Sequence, residues 1–316
     1  MKMYQLSRSC LFHFFAIVAS VALPLDAFAA GPTVGTFRIQ GIGSTGVNER
    51  CGEPLFSLPP PFPPDFHGAF VGEFDPTPGA VAAIPLTPTN CDDDILLATS
   101  TDPVFLGGAG LPDADPRIKN IPLRDALVIA TPDGVRTSIP PLGALPPNPI
   151  PPVKSEPNDP ITLGTWLNAR GRMTITCKED GSARVRARFE ELIPNGVYTM
   201  WGLWKTTPPG APGPTLVPIP LGGVPNALVP NQDGNATFRR KLALCPMDLA
   251  PDGSQLMIAT LAYHSDGNLY GGVPELAVGE VEFRAPDGST FTSNLAPGTV
   301  DHDQMEFPIT VSRFPN

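Results

Sequence analysis

The residues of this chain best suited to chemistry are two histidines with carboxylates beside them. His264 ends an apolar run and is followed by Ser265 and Asp266, while His302 stands between Asp301 and Asp303, just before the closing apolar alternation. Imidazole nitrogens and carboxylate oxygens are donors that zinc and copper take. If the two segments are neighbouring strand ends, His264, Asp266, His302 and Asp303 form a candidate ligand set for a divalent metal ion. Asp301 and Glu306 would then be the outer carboxylates that orient such ligands. The ligands are far apart in sequence, however, and a histidine at a strand end is more often a hydrogen-bonded structural residue. Asp92-Asp93-Asp94 and Asp113-Ala114-Asp115 offer oxygen donors for calcium, but neither has the twelve-residue loop pattern. Solvated acidic loops account for both.

Aromatic residues supply a second candidate chemistry. Trp201 and Trp204 lie near Trp166 and Tyr198 in sequence and are three positions apart, so on a strand they point to opposite faces. One reads as a core anchor, and the other as a stacking platform for sugar rings or a partner protein. Motifs of known catalytic machinery are missing: there is no Gly-x-Ser-x-Gly elbow, no His-Glu-x-x-His and no Walker loop. Gly41-Ile42-Gly43-Ser44-Thr45-Gly46 matches a dinucleotide fingerprint, but Cys51 and Pro54 follow it where a helix should, so it reads as a turn. No carboxylate pair for glycoside hydrolysis stands out. The first expectation is therefore a non-catalytic binding or structural module. A zinc or copper protein using the His264/His302 edge, catalytic or not, is the alternative, and a carbohydrate-binding module is the third. The sequence names no ligand.

The elements that would position these groups are strands. Ala183, Val185, Ala187 and Phe189 alternate with Arg184, Arg186, Arg188 and Glu190, the pattern of a half-buried antiparallel strand. Met173, Ile175 and Cys177 alternate in the same way before it, and Asp180-Gly181 supplies the turn between the two. Ile193-Pro194-Asn195-Gly196 makes the next reversal, towards a strand carrying Trp201 and Trp204. Three adjacent antiparallel strands are the expectation. The arginine row reads as a solvated face; the sharper reading, a surface for anionic ligands, is opposed by the net charge of −10.

Further strands are expected at 236–244, at 256–264 in the centre of a sheet, at 280–284 and 289–293 as a hairpin, and at 306–312. Asp-Gly recurs at Asp133, Asp180, Asp233, Asp252, Asp266 and Asp287, almost always between strand-like runs. Short strands with turn signals at such intervals predict an all-β protein with an antiparallel β-sandwich at 161–316, a barrel being the second choice. Residues 30–139 are dense in proline and hold short strand candidates at 36–40, 69–74, 95–99 and 126–131. They read as an irregular β region, the alternative being a long insertion after the first strand of a single sandwich. Residues 140–160 read as a Pro-rich linker.

Residues 1–29 have a basic start (Lys2, Arg8), an apolar core and Ala27-Phe28-Ala29, which predicts a signal peptide cleaved after about Ala29 and a secreted or periplasmic protein. No later stretch is long enough to span a membrane as a helix. Cleavage removes Lys2, Arg8 and Asp26, leaving 19 basic against 30 acidic side chains, a net of −11. Nucleic acid is excluded as a partner on that balance, and an extracellular protein or glycan is the expected class. Cys51, Cys91, Cys177 and Cys245 remain, an even number that predicts two disulfides. Three pairings are formally open; Cys51 with Cys91 and Cys177 with Cys245 is favoured, because each pair falls within one compositional half.

The segments PITLGTWLNARG (160–171), ELIPNGVYTMWGLW (191–204), AYHSDGNLYGGVP (262–274) and DHDQMEFPI (301–309) resemble those of a family of uncharacterised exported bacterial proteins. The resemblance covers about the C-terminal half. It implies a sandwich-like domain in an extracytoplasmic protein and carries no established activity.

Overall fold

The computed structural model describes residues 32–45, 49–54, 69–74, 84–101, 128–129, 161–207, 209–265, 280–284, 290–294 and 301–310. The first half supplies β1 (Gly35–Gln40), β2 (Ile42–Gly43), β3 (Glu49–Arg50), β4 (Glu53–Pro54), β5 (Ala69–Glu73), β6 (Leu97–Thr101) and β7 (Val128–Ile129). A single helical turn, α1 (Leu163–Leu167), leads into β8 (Arg170–Cys177), β9 (Ala183–Glu190), β10 (Val197–Thr206), β11 (Thr215–Pro220) and β12 (Ala227–Leu228). Then come β13 (Ala236–Leu242), β14 (Gln255–His264), β15 (Glu280–Arg284), β16 (Thr290–Asn294) and β17 (Asp301–Pro308). No helix among the described residues is long and apolar enough to cross a membrane.

The protein is all-β and every described strand pair is antiparallel. One sheet has four strands in the order β1-β8-β9-β13; the other runs β11-β10-β14-β17-β2, with β12 beside β10. Smaller groupings are β16-β15-β7, β3-β4 and β5-β6. In β9 the inward residues Ala183, Val185, Ala187 and Phe189 are all buried and the intervening charged residues exposed, so a period of two sets the face. By contrast, β14 is buried almost throughout and lies between β10 and β17. The two large sheets share one apolar core. Phe189 and Phe307 meet edge to face across it, with ring centres 6.0 Å apart, and Tyr198 meets Tyr263 at 5.2 Å. The sheets close tightly around Met305 because Gly171 has no side chain: a Cβ there would lie 2.2 Å from the Met305 sulfur.

The reversal at Pro194-Asn195-Gly196 does not place a third strand beside β8 and β9. The free edge of β9 is taken by β13, and β10 belongs to the other sheet. The physical reason is burial. Leu192 and Ile193 are buried in the shared core, so the link carries the chain across the core instead of folding it back along β9. β10 is apolar on both faces and takes a central place, which the charged edge of β9 does not offer. The last strand also begins earlier than its apolar alternation, because the ladder with β14 starts at His264 opposite Asp301.

Two strands of the Pro-rich half join these sheets: β1 pairs with β8 over six residues, and β2 pairs with β17. The start of the Pro-rich half thus contributes one strand to each of the two large sheets. The Pro-rich runs at 58–64 and 139–153, with the proposed linker, lie outside the described residues. Both disulfides join the favoured partners, Cys51 with Cys91 and Cys177 with Cys245, at Cα separations of 5.7 and 5.3 Å.

Three Asp-Gly turns are described, and Gly181, Gly234 and Gly253 all have positive φ, near +75°. Asp180 and Asp252 stabilise their turns further. Each carboxylate accepts a hydrogen bond from the hydroxyl and another from the backbone N–H of the serine two residues on, Ser182 or Ser254. These bonds, the hydroxyl first, hold both carboxyls below the ordinary aspartate pKa. A carboxyl with a lowered folded pKa adds stability that is present above the unfolded pKa and disappears as pH falls through the folded value. The Asp180→Asn/Asp252→Asn variant should therefore be less stable than the native chain at neutral pH, with the gap closing in acid. Urea midpoints at pH 7 and pH 3 measure this; an equal gap at both would refute it.

Candidate functional site

The antiparallel ladder of β14 and β17 brings the two histidine segments together, yet one residue out of step. His264 lies opposite Asp301, whereas His302 lies opposite Tyr263. Since successive residues on a strand alternate faces, the imidazoles leave opposite sides of the sheet. Their partners agree. His264 Nδ1 is 2.8 Å from Asp301 Oδ1 and its Nε2 is 2.7 Å from the Thr199 hydroxyl, while His302 Nε2 is 3.1 Å from the Ser265 hydroxyl. Asp303 accepts a hydrogen bond from Thr260 at 2.9 Å, and Asp266 lies outside the described residues. Among the described residues no three His, Cys, Asp or Glu side chains converge on a point where a metal ion would sit.

Hydroxyl, imidazole and carboxylate in the order Thr199, His264, Asp301 have the sequence of groups found in nucleophile relays. Here all three are largely buried, and the Thr199 oxygen also accepts a 2.7 Å hydrogen bond from the Trp201 indole. The hydrogen bonds among Trp201, Thr199 and His264 tie β10 to β14, and the 2.8 Å contact of His264 with Asp301 adds β17. Trp201 is thus a buried structural residue. Trp204 is half-buried and lines a cavity of about 700 Å³ with Val217, Ile219, Leu221 and Leu244. Asp92, Asp93 and Asp94 are exposed, and 113–115 lies outside the described residues.

A different constellation dominates the exposed face of the four-stranded sheet. Read from β1 to β13, three successive rows are Gln40, Arg172, Arg188, Thr237; then Arg38, Thr174, Arg186, Arg239; then Thr36, Thr176, Arg184, Lys241. These twelve positions hold seven cations and no carboxylate. Arg172 is directly opposite Arg188, Arg186 opposite Arg239, and Arg184 opposite Lys241. Like charges in direct cross-strand register cost stability. The Arg186 guanidinium records that crowding: its pKa is lowered, first by desolvation among its neighbours and then by Arg188 and Arg239. Among the described residues, carboxylates meet the field only at its ends. Arg170 pairs with Glu190 and Glu191, and Asp180 is near Lys241. None of the seven cations forms an ion pair with a described carboxylate. The face cups a concavity of about 510 Å³ with Arg38, Arg172, Arg184, Arg186 and Arg188 among its lining residues.

In the sequence only β9's own alternation reads as an arginine row. Arg38, Arg172, Arg239 and Lys241 come from three other strands, and their convergence depends on the order β1-β8-β9-β13. Each of those strands does show a polar face in sequence, a signal that locates one edge of such a field without locating its neighbours. No protein-family model matches the chain, and no curated protein sequence matches it.

Proposed function

We propose that this chain is an exported, non-catalytic binding module, and that the cationic face of the four-stranded sheet is its surface for an anionic ligand. The observation that carries the reading is the set of three cation pairs in direct cross-strand register, which cost the fold electrostatic energy and have no carboxylate partner among the described residues. Arginine forks take carboxylate, sulfate and phosphate oxygens in bidentate geometry, so an anionic ligand turns that repulsion into attraction. The net charge of −10 belongs to the whole chain, whereas the twelve positions of this face are uniformly positive or neutral. Two disulfides fit folding in an oxidising compartment. Export through a signal peptide at residues 1–29, and kinship with the exported bacterial family that the C-terminal segments resemble, belong to the same proposal.

Heparin serves as a generic polyanion for the test, with binding measured by fluorescence anisotropy at low and moderate salt. The native chain should bind at 50 mM salt and weaken steeply by 200 mM, and Arg186→Glu/Arg188→Glu should bind at least about tenfold more weakly. Equal binding by the native chain and the variant, or no binding by either, would overturn the reading.

A further inference from the structure

Resting on the reading of this face as an anion site, we infer that its ligand is a linear anionic polysaccharide, bearing carboxylate or sulfate groups, that lies along β9. The cations are not scattered. Along β9 each alternate residue has a cationic neighbour across the sheet: Arg188 with Arg172, Arg186 with Arg239, Arg184 with Lys241. Alternate residues of a strand are about 6.8 Å apart and neighbouring strands about 4.8 Å, so the face presents three cation pairs at a regular repeat over about 14 Å. A single small anion engages one such pair. A linear polymer with anions at intervals engages all three, and each further contact is intramolecular once the first is made.

The five remaining positions of the lattice decide among polymers. Thr36, Thr174, Thr176 and Thr237 carry hydroxyls and Gln40 an amide, and Thr36 and Thr176 lie within hydrogen-bond distance of each other at 3.3 Å. These are partners for sugar hydroxyls. None of the twelve positions carries an aromatic side chain on which bases would stack, the feature by which proteins hold single-stranded nucleic acid. Nor is there an apolar side chain to enter the interface of a bilayer, as surface-bound elements require. The lattice is charged or polar throughout.

The test uses the full chain, size-defined polyuronate and sulfated oligosaccharides, single-stranded DNA of matched charge, and vesicles of anionic phospholipid. Affinity for the oligosaccharides is expected to rise with each anionic repeat until three pairs are filled and then to level off, exceeding that for DNA and vesicles. Thr174→Val keeps a β-branched side chain and every charge, and should weaken oligosaccharide binding about fivefold while leaving DNA binding unchanged. A length-independent affinity, equal or tighter binding of DNA or vesicles, or a Thr174→Val loss shared by DNA would overturn this inference. If Arg186→Glu/Arg188→Glu still abolished binding in those cases, the anion-site reading would survive and only the polysaccharide assignment would fall. If that variant bound every probe as the native chain does, the anion-site reading itself would fail.

Discussion

Replacing Trp166 with alanine is expected to remove most of the stability of this protein. The side chain is fully buried and packs edge to face on Tyr263, with ring centres 5.8 Å apart. Its indole N–H donates to the Ser44 carbonyl at 2.7 Å, and its own carbonyl accepts from the Gln304 amide at 2.9 Å. Gln304 accepts in turn from the Tyr198 hydroxyl at 2.7 Å, and that hydroxyl accepts from the Ile193 N–H at 3.0 Å. One buried chain of bonds therefore links the stretch after β2, α1, β17, β10 and the link between the sheets. Gln304 reaches it because it is the extra residue of a bulge, where the β14 register passes from Met305 to Asp303. Deleting a buried tryptophan costs about 3–5 kcal/mol in packing. Depriving a buried carbonyl of its donor adds about 1–3 kcal/mol. Against a usual total of about 5–15 kcal/mol, the Trp166→Ala chain should unfold at a much lower urea concentration or fail to fold. Trp166→Phe keeps most of the volume and should show mainly the hydrogen-bond loss. A shift under about 1 kcal/mol for the alanine variant would mean that the core is not organised around this residue.

Removal of the second disulfide ranks next. Cys177 ends β8 and Cys245 follows β13, the two strands that flank β9, and both are buried. The bridge closes a separation of 68 residues. On the chain-entropy account, Cys177→Ser/Cys245→Ser should cost about 4 kcal/mol, chiefly by freeing the unfolded chain. The buried Cβ positions remain filled by serine, whose hydroxyls make the estimate a lower one. Comparing urea midpoints of the oxidised native protein and the variant measures the cost. A loss below about 1 kcal/mol would show that the unfolded chain is already restricted across this span.

Strand identity was well marked in the chain. β8, β9, β14 and the pair β15/β16 follow from alternation, from an apolar run bounded by polar turns, and from Asp-Gly pairs, of which Gly181, Gly234 and Gly253 take positive φ. The cysteine pairing followed from compositional halves. The neighbours of a strand were far less legible. Three successive strands with two good turns between them look like one meander, yet β10 leaves for the other sheet because Leu192 and Ile193 gain more by entering the core than by turning on the surface. The histidine pair shows the same limit. The strand ends are adjacent, as their sequence suggests, but a one-residue offset in register sends His264 towards Thr199 and Asp301 and His302 towards Ser265. No local feature of the sequence specifies that offset.

The cationic face marks the division most plainly. Alternation is a property of consecutive residues, and it told that Arg184, Arg186 and Arg188 share an exposed side, together with the all-β class and the turns. Which strands flank β9 is decided by long-range burial between segments more than a hundred residues apart, since Arg38 reaches this field only through the pairing of β1 with β8. Side chains that are isolated polar alternates along the chain become a charged lattice only when those edges meet. Hydrogen-bonded ladders accept almost any residue opposite another, so pairing is set by the apolar faces that must be buried behind them, and the charges on the other face arrive together as a consequence.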